Sequence, residues 1–197
     1  MKDEMTHVYQ FKITLKDIKP EIWRRIEVPD SYTFWDLHCA IQDVMEWSDS
    51  EDQLHEFVMN EQDSDSIYII ALPDEEMIYD ALNERDEKIS DHIKKEKQKF
   101  EYLYDFDDGW EHLVELEKIF PADKKKEYPV CLGGKRTSPP EGSGGPWEYE
   151  NILEALVSQN HDEHDEIVSW LGKDYDPENF DPADILFRDP EAVWRDR

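Results

Sequence analysis

Residues 100–120 read FEYLYDFDDGWEHLVELEKIF, and the way this stretch turns back on itself decides the architecture of the chain. Two alternating runs, 100–106 and 110–120, flank Asp107, Asp108 and Gly109, the composition of a hairpin loop in which glycine supplies the positive φ of a bulge. A three-residue loop at those positions sets Phe106 opposite Trp110. It then pairs Asp105 with Glu111, Tyr104 with His112, Leu103 with Leu113, Tyr102 with Val114 and Phe100 with Leu116. Aromatic and apolar side chains share one face in this register, whereas a two-residue loop pairs Phe106 with Glu111 and mixes the faces.

Working outward, Tyr9, Phe11, Ile13 and Leu15 alternate with polar residues, the period of a strand buried on one side. After a turn over residues 17–20, Ile22, Ile26 and Val28 share a face with Arg24, while Trp23, Arg25 and Glu27 point the other way. Phe34, Leu37, Ile41, Val44 and Met45 recur at helical spacing behind Thr33, so a helix is expected over 33–47. Short strands are expected at 55–60 and 67–72. The charged stretch 83–99 has only Ile89 and Ile93 as anchors and reads as a short exposed helix or a loop. Residues 121–146 are rich in Pro, Gly and Lys, too irregular for a core element. Helices follow from Trp147 and over the segment carrying Ile167, Val168, Trp170 and Leu171, ending at Gly172, with Asp181 and Pro182 opening a short turn. The expectation is an α+β fold: a mixed, β-grasp-like sheet with a C-terminal helical extension. Residues 1–197 form one domain in this reading, with a sheet core over 6–120, a loop over 121–146 and the extension over 147–197.

The chain has 197 residues, with 22 basic and 50 acidic side chains and a formal net charge of -28. Such a surface repels nucleic acid, whose binding depends on Lys and Arg replacing counterions at phosphates. The densest basic runs, Lys94 to Lys99 and Lys124 to Lys126, are flanked by acids. No apolar run approaches the roughly 18 residues that span a bilayer, and the first residues have no apolar leader core, so a soluble cytoplasmic protein is expected. Cys39 and Cys131 form no disulfide framework and read as reduced thiols. The acidic excess suits a salt-rich solvent, where screening weakens self-repulsion.

The chemistry concentrates in residues 104–112. Two carboxylates about 5 Å apart, as the Asp105–Glu111 pairing implies, repel by roughly 1–3 kcal/mol. Glu101 opposite Glu115 repeats the problem, so compensation is needed from an arginine such as Arg24 or Arg25, from a divalent cation, or from a retained proton. Asp105, Glu111 and His112 are therefore the catalytic candidates, and with His55 the metal-ligand candidates. The plainer alternative is a set of solvated or paired acids beside a core histidine. His161 and His164 could bind a metal from one helical face, although acids around them also suit an ordinary helix start. Residues 142–145 resemble a phosphate cradle in composition only, and no serine or cysteine sits in a nucleophile-elbow context.

Taken in order, Ile22-Trp23-Arg24-Arg25, Asp36-Leu37-His38, Leu54-His55-Glu56-Phe57, Tyr104-Asp105-Phe106, Trp110-Glu111-His112, Pro139-Pro140-Glu141 and Gly144-Gly145-Pro146-Trp147 resemble the plasmid pRiA4b Orf-3-like family over about residues 6–187. That resemblance implies a prokaryotic protein and no particular activity or cofactor. Where members often read Asp-Phe-Gly-Asp, this chain has Asp105-Phe106-Asp107-Asp108. Where they often carry cysteines near the Pro-Pro-Glu segment it has Ser138 and Ser143, so a multi-cysteine zinc site is not expected.

The function expected is that of a non-enzymatic binding or adaptor domain, engaging another protein through aromatic and acidic surfaces. The alternatives are a metal-dependent hydrolase or nuclease-like enzyme built on the carboxylate and histidine cluster and, more weakly, an acidic DNA mimic.

Overall fold

The computed structural model describes residues 6–48, 54–61, 66–73 and 79–197. Strands β1 (His7–Leu15) and β2 (Trp23–Pro29) form the first hairpin, and helix α1 (Phe34–Met45) follows. Next come β3 (His55–Asn60), β4 (Ile67–Ala71), β5 (Ala81–Asn83), α2 (Ile89–His92), β6 (Lys99–Tyr104), β7 (Trp110–Pro121) and β8 (Val130–Lys135). Helices α3 (Gly145–Val157) and α4 (His164–Leu171), a 3-10 turn at Pro182–Asp184 and α5 (Pro190–Arg195) complete the chain. No helix among the described residues is long and apolar enough to cross a membrane.

Among the described residues the strands make one eight-stranded sheet in the order β5-β4-β3-β6-β7-β1-β2-β8. Its pairings are antiparallel except β4 with β5. The α+β class therefore holds. The finer β-grasp comparison does not follow from this order, in which β1 lies between β2 and β7 and antiparallel to both. Period-two alternation puts Phe11, Ile13, Ile26, Phe57, Phe100, Tyr102, Val114 and Leu116 on one face, where Phe34, Leu37, Ile41, Val44 and Met45 of α1 close over them. Each such side chain contributes roughly 1.5–3 kcal/mol on burial.

Helix α1 starts where its sequence indicates. Thr33 accepts from Asp36 N while Asp36 accepts from Thr33 N, a reciprocal cap worth about 1 kcal/mol. Two more free N–H groups of its first turn, Phe34 N and Trp35 N, donate to Glu87 O and Glu84 O. That docking explains the charged stretch after residue 83: Ile89 and Ile93 are both fully buried, pinning α2 into the core instead of leaving it exposed.

The second hairpin corrects the expected register. Tyr104 lies opposite Trp110, Leu103 opposite Glu111, Tyr102 opposite His112 and Phe100 opposite Val114, so the loop comprises residues 105–109. Asp105 itself is left-handed (φ 56), and its Oδ1 accepts from Asp107 N and Asp108 N, closing a wider turn with Gly109 at φ 70. The register moves by two positions, which preserves the inner face but removes Phe106 from it. A second correction lies within 121–146, where residues 130–135 form β8 on the free edge of β2. Its glycines hid it, and one of them is required. A Cβ at Gly134 would lie 2.5 Å from the ring of Phe180, which packs on the strand there.

Candidate functional site

The carboxylates that stood out in the sequence are engaged in holding the fold. Asp108 Oδ2 accepts from Gly144 N at 3.1 Å, and Gly145 lies so close that a Cβ would meet Asp108 O at 2.3 Å. The Asp-rich turn is thus a clip that fixes the entry of α3 against the hairpin. Glu111 is not paired with Asp105. Lys16 Nζ donates to Glu111 at 2.6 Å and to Glu101 at 2.9 Å, so a lysine just past β1 neutralises both acids, in place of the arginine, divalent cation or retained proton weighed from the sequence. Both acids raise the Lys16 pKa above the usual lysine range, Glu111 most. Glu115 faces Lys99, with the ion pair at 3.0 Å, and Arg25 forks onto Glu117 at 2.6 and 2.8 Å.

His112 points the other way, into the core, with no exposure. Its Nδ1 donates to Tyr102 O at 3.2 Å, while its Nε2 has no partner among the described residues. Burial lowers its pKa to about 4, against smaller upward pulls from backbone hydrogen bonds of Tyr102 and Trp110, and Arg24 lowers it further. His55 is elsewhere: its Nε2 donates to the buried Glu84 carboxylate at 2.9 and 3.1 Å, and its ring stacks on His38 at 3.5 Å and 7°. His38 Nδ1 shares a hydrogen bond with Tyr102 OH at 2.8 Å, to which Gln42 also donates. Arg24, on the apolar face as its spacing predicts, is fully buried, and its hydrogen bonds to described residues go to carbonyls and a hydroxyl. Its guanidinium donates to Val44 O, Trp23 O, Lys135 O and Ser138 Oγ and lies 3.9 Å from the Phe180 ring centroid. Desolvation lowers its pKa to about 10.

These interior bonds assemble a surface groove of about 370 Å³ between the end of α1, residues 137–141 and α4. Glu46 leaves α1 in the left-handed conformation (φ 58), which swings Trp47 back so that its Nε1 donates to Pro139 O at 2.8 Å. Trp47 stacks on Tyr104 at 5.0 Å, and Glu141 accepts from Tyr104 OH and from Ser48 N. Ser138 Oγ, held by Arg24, reaches Met45 Sδ at 3.4 Å. The floor is therefore fixed by side chains bonded to the core. Trp170 of α4 stands as the wall, 49% exposed. The lining offers indole, proline and carboxylate surfaces and no imidazole, an equipment for stacking and charge pairing. A second depression, about 460 Å³, lies between α3, α4 and residues 172–178, with Arg136 on its polar side. That arginine is already held by Glu178 and Pro20 O.

A family model described as plasmid pRiA4b ORF-3-like protein matches residues 7–184. The chain belongs to this family. It is 36% identical over 191 residues to the uncharacterized protein y4hQ of Sinorhizobium fredii (strain NBRC 101917 / NGR234), covering 95% of this chain and 94% of that one. It also resembles the crystal structure of a protein of unknown function, MM3350, from Methanosarcina mazei Go1. The TM-score is 0.84 at 43% identity, covering 93% of this chain and all (100%) of that chain.

In this ORF-3-like chain the candidate residues are dispersed. Glu111 lies on the outer sheet face, His112 and His55 lie in the core with separate partners, and Asp105 closes its own turn. His164 Nδ1 donates to Ala155 O at 2.8 Å, tying α4 to α3, and His161 Nδ1 accepts from Glu163 N at 3.2 Å, closing a local turn. Among the described residues no group of three or more His, Cys, Asp or Glu is arranged to hold a metal ion. Sequence reasoning missed Glu84, hidden in a charged stretch, and the groove that residues near Trp47 line together with Trp170, which no local spacing encodes. The Pro-Pro-Glu segment at 139–141 was the available signal for the groove.

Proposed function

We propose that this ORF-3-like chain is a protein-binding domain whose Trp47–Trp170 groove receives a cationic segment of a partner protein. The observation that carries this reading is Trp170, a half-exposed indole standing over a floor already locked by hydrogen bonds to the core. Exposed tryptophan on a rigid support is the residue type that dominates binding energy at protein interfaces, because little entropy remains to be lost on docking. A Lys or Arg side chain laid on its face gains about 0.5–2 kcal/mol, more as water is excluded. Glu46, exposed at the rim, offers a carboxylate to the same cation. The formal charge of -28 steers basic partners towards the whole surface and repels nucleic acid.

A peptide array of mixed composition, probed with the wild-type chain and with Trp170→Ala, tests the proposal. Enrichment of Arg- and Lys-containing peptides by the wild type, lost in the variant, is the expected outcome. Equal recognition of acidic and basic peptides, or identical selections by both chains, would sink it.

A further inference from the structure

Helix α5 spans six residues, Pro190–Arg195, and none of them is buried, yet this short piece covers Trp35, which is only 1% exposed. A helix of this length has no stability of its own, so docking holds it. The docking runs through a few side-chain heads. Arg188 donates to Asp43 from both its backbone N, at 2.8 Å, and its Nε, and Asp43 is nearly inaccessible (4% exposed). Trp35 Nε1 donates to Pro190 O at 3.1 Å, and Trp194 meets the Trp35 ring edge-on at 5.4 Å. Arg85, in the turn after β5, stacks on the far side of Trp194 at 4.0 Å and pairs with Glu191 at 3.6 Å. The receiving surface is supported from behind: Trp35 lies against the stacked pair His38 and His55, and α1 is fixed at its start by its cap.

We infer that this face of α1 is a docking site for a short helical segment, and that residues 188–197 are its intramolecular occupant. The segment it fits has an arginine, a proline two positions later that opens a helical turn, and a tryptophan four positions beyond, as Arg188, Pro190 and Trp194 stand here. Aspartate and indole on the receiving side match guanidinium and indole on the incoming side. A partner protein carrying such a segment displaces the tail and takes its place. The tail is poised for release because none of the residues of α5 is itself buried, which places it at the low-stability end of local opening. Tethering gives it a high effective concentration, so the site is closed to weak competitors until the tail is weakened or outmatched. This clasp uses none of the groove residues Trp47, Pro139 and Trp170; it reaches the groove's edge only where Arg188 donates to Ser48 O at 3.3 Å, so Trp170→Ala tests the groove and Trp194→Ala the clasp.

The test uses the full chain and a fluorescein-labelled peptide of residues 186–197. The double variant Arg188→Ala/Trp194→Ala should bind the peptide at least about ten-fold more tightly than the wild-type chain, because competition in cis is lost. Hydrogen exchange on the wild-type chain supplies a readout that does not depend on the variant folding. The amides of α5 should exchange at least about a hundred-fold faster than those in the middle of α1. Equal peptide affinity for both chains, no binding to a folded variant, or α5 amides that exchange together with those of α1 would overturn the inference.

Discussion

Replacing His112 with phenylalanine should flatten the dependence of stability on pH. In the native chain the imidazole has no exposure and its Nε2 has no partner among the described residues, so a proton there would sit desolvated in the core. Burial lowers its pKa from 6.5 to about 4. The unfolded chain therefore takes up a proton near pH 6.5 while the folded chain stays neutral until about pH 4. Below the unfolded pKa the unfolded state binds more protons, so stability falls with falling pH across this window, by at most about 1.4 kcal/mol per unit. Between pH 7.5 and 5.0 the linkage sums to about 2 kcal/mol, and phenylalanine abolishes it while preserving a ring beside Trp47 and Tyr102. Urea unfolding of both chains at pH 7.5, 6.5, 5.5 and 5.0 measures the difference, since every other titrating group cancels in the comparison. Parallel stability curves, within about 0.5 kcal/mol of each other, would refute the assignment of His112 as a neutral core imidazole.

Other consequences follow from the same contacts. Gly145→Ala combines φ +83 with a Cβ 2.3 Å from Asp108 O and should cost about 3 kcal/mol in chemical denaturation, whereas Gly109→Ala, at φ +70 with open space around it, should cost about 1. Equal losses would contradict the clip between the hairpin loop and α3. Arg24→Met removes four hydrogen bonds at about 1 kcal/mol each and regains part through apolar burial, for a net loss of about 3 kcal/mol by urea titration. A neutral result would mean that the buried guanidinium does not hold β2, α1 and β8 together. Lys16→Met should cost less than about 1 kcal/mol, because Lys16, Glu101 and Glu111 are 32%, 47% and 48% exposed. Added potassium chloride should raise the melting temperature of the wild type by screening its excess acids, and raise that of Lys16→Met more. A salt-independent transition would remove the screening argument.

The parts of this fold that could be read from the sequence are those governed by local periodicity. Alternation in β1, the burial of Arg24 with Ile22, Ile26 and Val28, and the cap at Thr33 all stand as the sequence implies. The hairpin faces were also legible, because a shift of two positions leaves each side chain on its face. The loop length was not, since it rests on Asp105 adopting a left-handed backbone that its type permits without requiring. Strand β8 escaped because Gly133 and Gly134 erase the alternation, and only pairing with β2 makes the segment a strand. The candidate site was less legible still. Repulsion between Asp105 and Glu111 followed from an assumed register, while the true partner of Glu111 is Lys16, distant in sequence. The groove exists because the residues just past α1, including Trp47, residues 137–141 and Trp170 of α4 line one depression. Such convergence is a tertiary fact with no local signature.

The central claim is that Trp170 and its rigid floor recognise a cationic segment. Titration of an Arg-rich nonapeptide, found by the array, into the wild type and Trp170→Ala at low and at physiological salt tests it most directly. The account predicts saturable binding to the wild type that weakens as salt rises, and a loss of at least about ten-fold in the variant at both salt levels. Equal affinity of the two chains would contradict it.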